Sequence, residues 1–144
     1  MRAKFVNEDL ESVLQSKSGK EIKDVLKSLH PDILLIKTSE YGLIKYVKMA
    51  LDSGADIHAK RDRALWSSAM NGHVEVVKLL LGAGADVHAN NDAALRLAST
   101  KGHIEVVKVL LEAGADVHAK KDAALELALK NGHTEVVKLL KKVR

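Results

Sequence analysis

Seven histidines are the residues of this chain with the widest chemical reach, and six of them fall into two columns. His58, His88 and His118 stand 30 residues apart, and so do His73, His103 and His133. Imidazoles repeated in register could bind metal ions or move protons near neutral pH. If each column runs along a stack of helices, however, its members sit roughly 8–10 Å apart. Two nitrogens held by one zinc ion at about 2.0–2.1 Å can be separated by only roughly 3–4 Å. Members of one column therefore cannot share an ion. We expect these rings to hydrogen-bond backbone at turns and helix starts, and we expect no metal site and no cofactor.

Other chemical signals are weaker. Glu75, Glu105 and Glu135 each precede Lys78, Lys108 and Lys138 by three residues. That spacing makes solvated ion pairs on a helix face rather than an acid/base dyad. GAGAD at 82–86 has two glycines at dinucleotide-fold spacing, but no strand precedes it. SGK at 18–20 lacks the upstream glycine of a phosphate loop, and neither HExxH nor GxSxG occurs. No catalytic constellation emerges, and the chain does not read as an enzyme.

The elements that carry these residues are set by a repeat. GHVEVVKLLLGAGAD at 72–86 returns as GHIEVVKVLLEAGAD and again as GHTEVVKLL, each 30 residues further on. Stepping back by 30 reaches a divergent copy, YGLIKYVKMALDSGAD, and Asp32, Asp62, Asp92 and Asp122 keep the same register. The units run 32–61, 62–91, 92–121 and a shortened 122–144. Each reads as two short helices. Asp92 suits an N-cap whose carboxylate accepts from the first-turn N–H groups. AALRLASTK places Ala94, Leu95 and Ala98 on one face, and Gly102 supplies a left-handed residue that ends the helix. IEVVKVLLEA forms the second helix, and ADVHAKK a brief extended or turning connection. Neither helix is long enough to stand alone in water, so every unit needs neighbours on both sides.

The ends differ accordingly. The column of Leu51, Leu81 and Leu111 becomes Lys141 in the last unit, which reads as a C-terminal cap. Residues 1–31 leave the period, and NEDLESVLQ and GKEIKDVLKSL read as two amphipathic helices of an N-terminal cap. All of this belongs to one solenoid domain of 144 residues. One proline, Pro31, and 3% aromatic residues favour helix over a β-sandwich. There is no cysteine, hence no disulfide framework. The opening residues show no apolar core of a secretory signal, and no uncharged apolar run approaches a membrane span.

GHxEVVKLLLxxGADV, present as GHVEVVKLLLGAGADV and GHIEVVKVLLEAGADV, resembles the ankyrin repeat across about four-fifths of the chain, residues 32 to 144. The usual TPLH box is replaced by AALR and AALE, and by RALW in the second unit. The period of 30 is shorter than the usual one, and is similar to a short subtype common in proteins of giant amoebal viruses and some protists or intracellular bacteria. The resemblance implies an all-α helix-turn-helix solenoid with short hairpin or turn connections, in which the first helix of each unit lines a concave face that binds a partner. The missing residues lie at the connection, so the family's projecting hairpin should be shorter.

Columns that vary between units are free to carry function. Four vary most: Ile33, Arg63, Ala93 and Ala123; Ile36, Trp66, Arg96 and Glu126; Glu40, Met70, Thr100 and Lys130; Tyr41, Asn71, Lys101 and Asn131. All belong to the first helix. Candidate partner-binding residues are Arg63, Trp66, Met70, Arg96, Thr100 and Lys101, together with the connection tips Lys60–Arg61, Asn90–Asn91 and Lys120–Lys121. Trp66 and the arginines are of the types that dominate interface hot spots, although Trp66 could instead fill space left by Ser67. The net charge is +4, from 23 basic and 19 acidic residues, and the bias is concentrated on this side. The expected partner is a protein with an acidic surface, met by a monomer in the cytoplasm, or in a host's cytoplasm if the chain is viral or a bacterial effector. Nucleic acid is disfavoured as a partner, since a lone tryptophan makes no stacking platform. A structural or engineered scaffold without a natural partner is a further alternative, against which the irregular first unit, Trp66 and Met70 speak.

Overall fold

The computed structural model describes residues 19–144, and among these every regular element is a helix. They are α1 (Gly19–Ser28), α2 (Pro31–Glu40), α3 (Ile44–Asp52), α4 (Ala59–Met70), α5 (Val74–Gly82), α6 (Ala89–Lys101), α7 (Ile104–Glu112), α8 (Ala119–Lys130) and α9 (Thr134–Val143). The helix expected in NEDLESVLQ lies outside the described residues. From α2 onward the helices pair in sequence, and α2, α4, α6 and α8 stack as one layer beneath α3, α5, α7 and α9. The first-helix layer packs more closely than the second and is termed the inner layer. The architecture is the all-α solenoid that the repeat implies.

Small residues make the close inner layer possible. Ala64, Ala94 and Ala124 are buried beside Leu65, Leu95 and Leu125, and Ala98 and Ala128 are fully buried. The outer layer contributes Val47, Val77 and Val107, with Leu80, Leu110 and Leu140 behind them, each at most 1% exposed. The column ending in Lys141 is half-buried in the earlier units and exposed in the last. The terminal face is not wholly polar, since Leu129 is 53% exposed where Ser99 is buried.

Helix ends follow the glycines. Gly42, Gly72, Gly102 and Gly132 have φ between +72° and +76°, the left-handed geometry that ends each first helix. The next unit's histidine closes over three of them. His73, His103 and His133 each place Nε2 at 2.9 Å from a main-chain oxygen of the preceding unit, those of Glu40, Met70 and Thr100. A Cβ added to Gly42, Gly72 or Gly102 would lie 2.5–2.8 Å from the ring's Nδ1, so this turn and this ring require each other.

The connections depart from expectation. No strand forms among the described residues, and there is no hairpin. The chain reverses instead through three consecutive left-handed residues: Lys60–Arg61–Asp62, Asn90–Asn91–Asp92 and Lys120–Lys121–Asp122, with φ from 52° to 61°. A period shortened to 30 leaves too little chain for two strands, and a left-handed turn is the compact alternative. Left-handed backbone costs L-residues roughly 1–2 kcal/mol each, least for Asn and Asp.

Asp92 is therefore not the N-cap expected from the sequence. A capping residue keeps extended backbone and aims its oxygen at the next two or three N–H groups. A left-handed residue does not. Asp92 is 4% exposed, and its Oδ2 accepts from the N–H of Asp116 at 2.7 Å, in the following connection. Asp32 and Asp62 bind the N–H groups of Asp56 and Asp86 in the same way, at 2.6 and 2.7 Å. At the end of the stack Asp122 is met by Nη2 of Arg144 at 3.2 Å. A ladder of carboxylates thus ties successive connections together.

Candidate functional site

The second histidine column joins this ladder. Nδ1 of His58 lies 3.1 Å from both carboxylate oxygens of Asp62, and His88 stands 3.2 Å from those of Asp92. His118 is 2.6 Å from Asp122. These rings bind carboxylates four residues on, not the backbone that the sequence suggested; only the His73 column does that. The hydrogen bond and charge of Asp62 raise the pKa of His58 above its ordinary 6.5. Among the described residues no cluster of three or more His, Asp or Glu side chains is placed to hold a metal ion.

The variable columns lie along the inner helices. Arg63, Trp66 and Met70 follow each other at i, i+3 and i+7 on α4, so they share one stripe, as do Ala93, Arg96 and Thr100 on α6. Trp66 is partly exposed, and its neighbour Ser67 is buried. The Arg63 guanidinium sits over the Trp66 ring, 5.4 Å from its centroid, a cation–π geometry. Arg63 Nε and Trp66 Nε1 are both covered, yet neither meets an acceptor among the described residues. Beside this pair is a cavity of about 190 Å³ lined by Ile33, Ile36, Lys37, Lys60 and Arg63. It has an aliphatic floor and a basic rim.

Not every candidate is equally free. The Arg96 side chain turns back on its own connection, donating from Nε to the Asn91 carbonyl at 2.9 Å and from Nη2 to the Asn90 carbonyl at 3.0 Å. Arg96 thus stabilises the left-handed turn as well as standing on the inner face. Thr100 donates to the Arg96 carbonyl at 2.7 Å while its own carbonyl meets His133. Met70 is partly buried, and its carbonyl meets His103. Ala93, in a variable column, is buried at 2% and presents nothing to a partner. Lys60, Arg61, Asn90, Asn91, Lys101, Lys120 and Lys121 are exposed. Lys37 was not singled out from the sequence. It enters the cavity only because α2 and α4 are neighbours, and it pairs with Glu40 at 3.8 Å.

No helix among the described residues is long and apolar enough to cross a membrane. The family model described as ankyrin repeats (3 copies) matches residues 34–121 and again 90–143. No curated protein matches the chain. Ankyrin repeats generally mediate protein–protein interaction, and proteins built from them are typically non-enzymatic scaffolds. With the matched residues spanning most of the chain and every helix pair in step with them, this protein belongs to the ankyrin repeat family.

Proposed function

We propose that the chain binds a partner protein through the concave face of its first helices, centred on Arg63 and Trp66, with the exposed tips Lys60–Arg61, Asn90–Asn91 and Lys120–Lys121 at the rim. The observation that carries this reading is the stacked Arg63–Trp66 pair, whose covered donors lack acceptors, beside an aliphatic cavity with a basic edge. An apolar side chain flanked by a carboxylate complements such a surface. Met70, Arg96, Thr100 and Lys101 extend it across the next unit. In this reading residues 32–144 form four units that present the face, residues 1–31 cap them, and a monomer meets an acidic protein surface in the cytoplasm. The short-repeat subtype, with its viral, protist or bacterial associations, goes with the same reading.

Affinity capture with mass spectrometry tests it. A partner retained by the wild type should be lost from a Trp66→Ala/Arg96→Ala double variant of unchanged melting temperature. It should be kept by a Lys78→Ala/Lys108→Ala variant of the outer face. Loss by the outer-face variant alone would move the binding surface to the convex side. A bound species that is nucleic acid, released by moderate salt without sequence preference, would replace the protein partner.

A further inference from the structure

The outer layer carries one break in an otherwise strict charge pattern. Glu75, Glu105 and Glu135 neutralise Lys78, Lys108 and Lys138 at 3.5, 3.1 and 3.4 Å. On α3 the glutamate position holds Lys45, so Lys48, the counterpart of Lys78, lacks the carboxylate that the other units place three residues before it. The preceding outer helix, α1, adds Lys23 and Lys27 one turn apart. All four lysines are exposed, and none makes an ion pair among the described residues. Against the described helices α1 packs more loosely than any other. An open cleft of about 390 Å³ lies between it and α3, with all four lysines around it. Its apolar lining is Tyr46 and Met49, both partly buried against the core. Asp52 and Ser53 complete the wall, so the cleft keeps a net positive charge.

We propose that this cleft is a second docking site, on the side opposite the inner face, for an acidic peptide segment carrying carboxylates on either side of one apolar residue. Charge complementarity is the first argument: a Glu→Lys reversal at one position turns a neutral pair into two like charges, and two more flank them. Geometry is the second. Lysines one turn apart on a helix have their Cβ atoms about 5–6 Å apart, and packed helices lie about 8–10 Å apart. Alternate side chains of an extended peptide repeat at roughly 7 Å, which falls between these spacings. Chemistry of the lining is the third. Met and the Tyr ring offer an adaptable apolar seat, and the Tyr46 hydroxyl, which has no partner among the described residues, can donate to a carboxylate. A single aromatic side chain gives nucleic-acid bases nothing to stack between.

The test uses the full chain and a blocked, fluorescent peptide of alternating glutamate and leucine, followed by anisotropy. Binding should weaken with salt, and a glutamine-for-glutamate peptide should not bind. Lys45→Glu/Lys48→Glu should weaken binding at least tenfold. Lys108→Glu/Lys138→Glu, with the same change in net charge, should weaken it less than threefold. Lys45→Glu alone restores the pair found in the other units, so folding is expected to be intact, and a melting temperature checks it. Trp66→Ala should leave peptide binding unchanged, which separates this site from the inner face. Absence of binding, equal loss in both charge-reversal pairs, loss in Trp66→Ala, or tighter binding of an oligothymidine that displaces the peptide would each overturn the proposal.

Discussion

His103 of one unit donates from Nε2 to the main-chain oxygen of Met70, 2.9 Å away and 33 positions earlier, while its ring covers Gly72. The same two contacts recur at Glu40 with Gly42 and at Thr100 with Gly102. Gly132 shares the backbone geometry, at φ +73°, but nothing lies within 4 Å of where its Cβ would be.

That difference makes a controlled comparison. Gly72→Ala should cost about 2 kcal/mol or more, from left-handed strain plus the ring that must move. Gly132→Ala should cost only the strain, about 1–2 kcal/mol. Urea unfolding of the two variants measures both. Equal losses would mean that the histidine ring adds nothing to the turn.

A second expectation concerns pH. The hydrogen bond to Asp62, and then its charge, raise the His58 pKa above 6.5 in the folded chain. A group with a raised folded pKa stabilises when protonated. The contribution is fully present below pH 6.5 and fades as pH rises through the higher folded value. An NMR titration should place the His58 midpoint above 6.5, and Asp62→Asn should lower it. A wild-type midpoint at or below 6.5 would contradict the pairing.

Left-handed connections carry a cost that varies by residue type. Asn90 and Asn91 suit this backbone and have their carbonyls bound by Arg96, whereas Lys120 and Lys121 adopt it with Glu126 in the arginine's place. Lys120→Asn/Lys121→Asn should stabilise the chain by about 0.5–1 kcal/mol, a fraction of the left-handed penalty. Asn90→Val should destabilise it by about 1–2 kcal/mol. Thermal melts of both variants check the order.

Two neighbours on α6 should respond in opposite directions. Leu95 is fully buried, and Leu95→Ala should cost about 2–5 kcal/mol. Ser99 is equally buried, but its hydroxyl has no partner in the described protein, and Ala69 occupies the same column one unit earlier. Ser99→Ala should be neutral or stabilise by about 1 kcal/mol. A loss above about 1 kcal/mol would show that the hydroxyl is satisfied in solution.

Features that depend on period were readable from the sequence. Gly102 as the end of a helix, Leu95 as core and Lys141 as an exposed member of an apolar column all follow from what repeats and what does not. Asp92 was misread because an N-cap and a left-handed residue draw on the same amino acids, and only the backbone angle separates them. The acceptor role of its carboxylate depends on a residue 24 positions away, a separation that matches neither the repeat nor a helical turn. Lys37 and Arg63 line one cavity because α2 and α4 are neighbours, which residue spacing along one helix does not express. Lys45 stands 30 residues before Glu75, so the break in the glutamate column could have been found by register, but it was not singled out from the sequence. What the sequence lacked was the cleft beside it.

The carboxylate ladder gives the stack a direction. Each connection offers an N–H to the one before it and a carboxylate to the one after, and Arg144 occupies the final acceptor on Asp122. The polarity means that a unit is recognised differently from its two sides, by its N–H from one and by its carboxylate from the other.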